Sequence, residues 1–140
     1  MTAGSARANF HLQVRVYYED TDAAGVVYYA NYLRFMERAR TEWLASIGFD
    51  LDRLEREQGV VFVVHRVDIE YRRPAQLLDR LDVTLVLLKV GRATLIAGQD
   101  VCRGDETLTQ ARVTLACLNR ETWRPERIPA PLAASLEAML

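Results

Sequence analysis

The sequence predicts an α+β layer in which one long amphipathic helix lies against an antiparallel sheet of about five strands. Hydrophobic residues alternate in period two over residues 11–19 and again in four runs from Val60 to Leu118. Between them, from about Tyr29 to Ile47, they recur at three- and four-residue steps, as one face of a helix does. The later strands follow one another with short polar connections, which join antiparallel neighbours.

Taken in order, His11–Glu19 sets Leu12, Val14 and Val16 against Gln13, Arg15 and Tyr17, a half-buried strand. A loop from Asp20 to Val27 follows, holding Asp20, Asp22 and Gly25. In the helix, Tyr32, Met36, Ala39, Trp43 and Ile47 form the core stripe, widened by Leu33 and Leu44, over about five turns. Arg38 and Glu42, and Glu37 and Arg40, stand at pairing distance along it. Asn31 is the best side-chain cap and Gly48 the natural stop. Asp50–Gln58 is polar and reads as one or two irregular helical turns. The strands are then Val60–Tyr71, Leu81–Val90, Ala93–Arg103 and Leu108–Leu118. The first places Val61, Val63, His65, Val67, Ile69 and Tyr71 on one face, with His65 read as a buried or interface histidine. The tail, with Pro125, Pro129 and Pro131, reads as extended, then as a short helix. Val60–Val64 and Leu85–Leu88 are apolar on both sides, which calls for a second subunit to cover them.

Half of the 140 residues are hydrophobic and 26% are charged, the balance of a globular domain. It is expected over residues 11–140, after a loose leader of residues 1–10. A net charge of −1 supplies no basic field for nucleic acid. No apolar run is long enough to span a membrane, and MTAGSARANF lacks a signal peptide's apolar stretch, so the cytoplasm is the expected location. Cys102 and Cys117 lie in strand-like runs and read as buried thiols, not a disulfide. With His11 and His65 they make no spacing suited to zinc.

The acidic loop carries the chemical signal. Asp20-x-Asp22 with Gly25 opens like a calcium loop, but Ala24 and Asn31 stand where further oxygen ligands are needed. Asp22 sits just before a helix, where N–H groups lack intrahelical partners and the dipole favours negative charge. A base or nucleophile beside such donors suits attack on a carbonyl, because the donors hold the oxyanion as it forms. Asp and Gly are also ordinary turn formers, and from pattern alone a cap is the favoured role of Asp22.

The run YYEDTDAAGVVYYANYLRFMERARTEWL resembles the signature of the hot-dog-fold acyl-CoA thioesterases. It is most similar to the bacterial Tol-Pal-associated (YbgC-type) group and, more distantly, to the 4-hydroxybenzoyl-CoA thioesterases. IEYRRPAQLLDRLDV and GRATLIAGQDV extend the resemblance over roughly residues 11–120. It implies a sheet wrapped around the long helix. It also implies a homodimer joined edge to edge, or a dimer of such dimers, with sites at the dimer interface. The implied reaction turns an acyl-CoA, with a short-chain or aromatic acyl group, into free acid and CoA without a metal or other cofactor. By the same resemblance Asp22 is the catalytic carboxylate, as nucleophile or as general base. The Tyr29 N–H polarises the carbonyl, and Tyr18 orients Asp22. Gly25 allows close approach, and Val27 and Tyr28 line the acyl site. Arg72, Arg73 and Arg92 are the first candidates to meet the CoA phosphates, since guanidinium forks suit phosphate. Many of the Tol-Pal-associated proteins carry His where Tyr29 stands, which bears on acyl preference more than on the reaction. Two rivals remain. A dehydratase of the same fold needs a His with its carboxylate, and none lies near this loop. A low-turnover binding protein of the envelope or lipid machinery would hold acyl-CoA or acyl carrier protein. On either reading the expected place is the cytoplasm, with the face of the inner membrane as the alternative.

Overall fold

The computed structural model describes residues 8–140. The chain runs β1 (Phe10–Arg15), a 3-10 turn (Tyr18–Asp20), α1 (Asn31–Ser46), α2 (Leu51–Gln58), β2 (Val60–Tyr71), β3 (Arg80–Val90), β4 (Thr94–Arg103), β5 (Glu106–Asn119) and α3 (Ala130–Glu137). All five strands join one sheet in the order β1-β3-β4-β5-β2, and every pairing is antiparallel. Most of the expected leader lies outside the described residues. Its last two residues are tied to the sheet: Asn9 N–H donates to the Leu85 carbonyl at 2.7 Å, and Phe10 opens β1.

Alternation assigns the faces. Leu81, Val83, Leu85 and Leu87 of β3 are buried, as are Leu95, Ala97 and Val101 of β4, and they share one core with Tyr32, Phe35, Met36, Ala39, Trp43 and Leu44 of α1. Fully burying each large side chain here stabilises by about 1.5–3 kcal/mol. Gln99 is buried on the same face. Its amide donates to the Met36 carbonyl at 2.9 Å, and its oxygen accepts from Arg40 at 3.0 Å, so the helix is fixed to β4 by polar bonds as well as packing. Burial lowers the Arg40 pKa, partly offset by the nearby Glu37 charge.

Four local expectations need correction. Phe35, not Leu33, completes the helix stripe: Phe35 is fully buried and Leu33 is 38% exposed. Asn31 does not cap α1. It is the first helical residue, Ala30 precedes it as the boundary, and no side chain caps the helix. Residues 51–58 form a regular two-turn helix closed by Gly59, where irregular turns were expected. His65 is exposed. The β2–β5 register slips between Val64 and Arg66, and a bulge there moves the core face from Val60 and Phe62 to Val67 and Ile69. Strict alternation had carried one face through the whole strand.

Candidate active site

The site begins where β1 leaves the sheet. The chain turns through Tyr18–Asp20 and then folds back on itself, with Asp22 N–H donating to the Val26 carbonyl at 2.9 Å and Gly25 N–H to the Asp22 carbonyl at 3.0 Å. Gly25 has φ +81°, a left-handed conformation that a side chain would strain. The Asp22 carboxylate is exposed. One oxygen accepts from Ala24 N–H at 2.9 Å, a local turn bond, and the other takes no hydrogen bond among the described residues.

Asp20 has a different environment. It is 4% exposed, and its oxygens accept from the Asn31 amide at 2.6 Å and from Tyr17 N–H at 2.9 Å. Its main-chain carbonyl accepts from Tyr28 N–H at 2.8 Å. The loop and the start of α1 are therefore locked together through one buried carboxylate.

The main chain entering α1 has free donors. Val27 N–H donates to Ala75, Tyr28 N–H to Asp20 and Asn31 N–H to Tyr28. The Tyr29 and Ala30 N–H groups donate to no acceptor among the described residues. A cleft of about 280 Å³ opens here, lined by Asp22, Val26, Val27, Tyr29, Tyr32, Tyr71, Arg72, Arg73 and Pro74. Its tyrosines form a cluster. The Tyr71 ring meets Tyr29 edge-on at 6.2 Å and Tyr32 at 5.5 Å, and the Tyr32 hydroxyl accepts from Ala75 N–H at 3.0 Å. Burial raises the Tyr32 and Tyr71 pKa values, which keeps both phenols protonated at neutral pH. The exposed Tyr28 pKa is also raised, first through a hydrogen bond with Tyr29.

The structure brings Asp22, Val27, Tyr29, Arg72 and Arg73 to one cleft, with Gly25 in the turn between Asp22 and Val26, and Tyr28 packed on Tyr29 at 4.9 Å. Arg72 pairs with Glu70 at 2.9 Å and Arg73 with Glu106 at 3.1 Å. Tyr18 stands apart: it is 81% exposed, and its main-chain carbonyl accepts from the Thr21 N–H and hydroxyl. Arg92 lies beyond the far end of β3, eleven residues long and so about 35 Å from the end that holds the cleft. There it lines a separate hollow with Arg127 and Glu137. Sequence reading gave Asp20, Asn31, Ala30 and Tyr71 no part in the site. Asp20 and Asn31 stood within the motif and could have been paired from it, whereas nothing local marks Tyr71. Among the described residues no three His, Cys, Asp or Glu side chains converge to hold a metal ion.

A five-stranded antiparallel sheet, a helix packed on it and a carboxylate loop at the start of that helix define a hot-dog protein of thioesterase type. A probable thioesterase from Bartonella henselae has the same fold, with a TM-score of 0.81 at 37% identity over 85% of this chain and 98% of that one. Residues 16–136 match the thioesterase-like superfamily, and the chain belongs to it. It is similar to the acyl-CoA thioesterase YbgC of Haemophilus influenzae, 42% identical over 90% of this chain and 93% of that protein. It is also similar to the acyl-CoA thioester hydrolase YbgC of Escherichia coli O6:H1, 38% identical over 91% of this chain and 96% of that protein. No helix among the described residues is long and apolar enough to cross a membrane.

Proposed function

We propose that this chain hydrolyses an acyl-CoA thioester to the free acid and CoA. One observation carries the reading: an exposed carboxylate with an unengaged oxygen, Asp22, shares a cleft with a helix start whose Tyr29 and Ala30 N–H groups are open. The donors take the thioester oxygen as it gains charge, and Asp22 drives the attack. As general base it takes a proton from water, whose oxygen bonds to the acyl carbon. The carbon–sulfur bond breaks, and the CoA thiolate leaves and is protonated. As nucleophile, Asp22 bonds to the acyl carbon itself, and the carbon–sulfur bond breaks with loss of the CoA thiolate, which is protonated. Water then cleaves the resulting anhydride to the free acid and the Asp22 carboxylate. Both routes balance without a metal or redox partner.

The lining favours a small or flat acyl group. The cleft is walled by Val26, Val27, Pro74 and three tyrosines. Arg72 and Arg73 at its rim suit the CoA phosphates, which would replace Glu70 and Glu106 as their partners. Arg92 joins them only if a second copy carries its β3–β4 turn to this cleft.

The test is release of free thiol from short, long and aromatic acyl-CoAs by the wild type and Asp22→Asn. Asparagine keeps the oxygen that accepts from Ala24 and removes the basic group. The expected result is hydrolysis of short or aromatic substrates by the wild type and a loss of at least about a hundredfold in the variant. Equal rates would move the chemistry to another residue. No hydrolysis of any acyl-CoA would favour an acyl-carrier-protein thioester or a binding role.

A further inference from the structure

The cleft contains a hydrogen bond that the carboxylate chemistry does not by itself require. Tyr71 ends β2, and its hydroxyl donates to the main-chain carbonyl of Tyr29 at 2.8 Å, across 42 residues of chain. That carbonyl belongs to the peptide unit whose N–H is Ala30's. A trans peptide is planar, so holding its oxygen also sets the direction of its N–H. One unit earlier the pattern repeats: the Tyr28 carbonyl accepts from Asn31 N–H at 2.8 Å, and its peptide carries the Tyr29 N–H. Two consecutive peptides thus have engaged oxygens and open N–H groups. Hydrogen bonds in a chain polarise one another, so each engaged oxygen makes its N–H a stronger donor.

The tyrosine is held for this task. Its ring packs against Tyr29 and Tyr32, while the hydroxyl alone reaches the main chain. The two bonds differ in origin. The bond to Tyr28 comes with helix formation, whereas the bond to Tyr29 needs a side chain delivered from another element.

We infer that Tyr71 is a positioning residue for thioester hydrolysis, its hydroxyl aligning and polarising the Tyr29–Ala30 peptide so that the Ala30 N–H joins that of Tyr29 on the developing oxyanion. The inference rests on the reading of Asp22 and the helix start given above. Tyr71 acts through the peptide and not on the reacting atoms.

Tyr71→Phe removes the hydroxyl and keeps the ring. Deleting an oxyanion donor costs about a hundredfold to a thousandfold in kcat; a donor kept but misaligned should cost less, about tenfold, with KM changed by less than about twofold. Replacing Tyr71 with 4-aminophenylalanine restores a donor at the same place and should recover most of kcat. In an Asp22→Asn background, the infrared carbonyl stretch of a bound acyl-CoA should lie closer to its solution frequency when Tyr71 is also Phe. A brace for the fold alone would lower thermal stability and leave kcat and the carbonyl frequency unchanged, which overturns the inference. An Asp22→Asn loss with full turnover in Tyr71→Phe overturns the Tyr71 role alone. Full turnover in Asp22→Asn overturns both, because the aligned peptide then faces no catalytic carboxylate.

Discussion

Asp20 and Asp22 are separated by one threonine, and their surroundings differ sharply. Asp20 is nearly fully buried and accepts from the Asn31 amide and the Tyr17 N–H, whereas exposed Asp22 makes one local turn bond. Asp20→Ala strands both donors, and a buried donor without a partner costs about 1–3 kcal/mol. Urea denaturation should show Asp20→Ala less stable by about 2–4 kcal/mol, with Asp22→Asn within about 0.5 kcal/mol of wild type. Equal stability of Asp20→Ala would mean that the loop is held by something else. From pattern alone Asp22 reads as a cap, and only the resemblance set it apart from Asp20 as the catalytic candidate. Their difference in burial was not legible, because it is decided by the 3-10 turn that folds Asp20 under the chain. Tyr71 was less legible still, since its partner lies on another element and is reached through a main-chain atom.

Hydrophobic period located nearly every element, and the errors lie where side-chain period stops reporting the backbone. Both edges of β3 and β4 fall within one residue of expectation. The bulge at His65 breaks the period inside β2, and only the register with β5 reveals it. The turn from β4 to β5 shows what an element end gains from charge. Arg103 reaches Asp79 and Glu106, each at 2.7 Å, joining the β2–β3 connection to this turn. Its hydrogen bond to Glu106 is the main reason the Glu106 pKa lies below its usual 4.5, with the charges of Arg103 and Arg73 adding to it. A carboxyl whose folded pKa is depressed contributes stability above its unfolded pKa and loses it as pH falls through the folded value. Glu106→Gln should therefore lower the urea midpoint at pH 7. The gap from wild type should close as pH drops below about 4.5. A gap that persisted in acid would assign the effect to packing.

At the scale of the whole molecule, one face of the sheet is filled by the helix and the other is divided in two. The outer face carries two apolar groups: Val61, Val63 and Leu118 on β2 and β5, and Val86 and Leu88 over Gly98 on β3 and β4. A side chain on Gly98 would meet Val86 at 3.0 Å and Leu88 at 3.4 Å, so these two residues close over the glycine and present a continuous surface. Between the two groups the register sets polar side chains: Ile96 lies beside Lys89 and Thr114, and Gly98 beside Arg112, itself paired with Asp68. The apolar groups were visible in the sequence as runs hydrophobic on both sides, because a strand covered on one face only would alternate. Exposed apolar groups of this kind mark an association surface, and a second copy of the chain is the occupant to test. Leu88 is 45% exposed, so a charge there leaves the core untouched. Light scattering should find the wild type above the monomer mass and Leu88→Asp shifted toward a smaller species, with far-ultraviolet circular dichroism unchanged. Association that survives Leu88→Asp would assign the contact to the long exposed edge of β2, where unpaired main-chain groups offer the alternative route. A monomeric wild type would leave the apolar groups without a second copy and would make the cleft of one chain, without Arg92, the whole of the site.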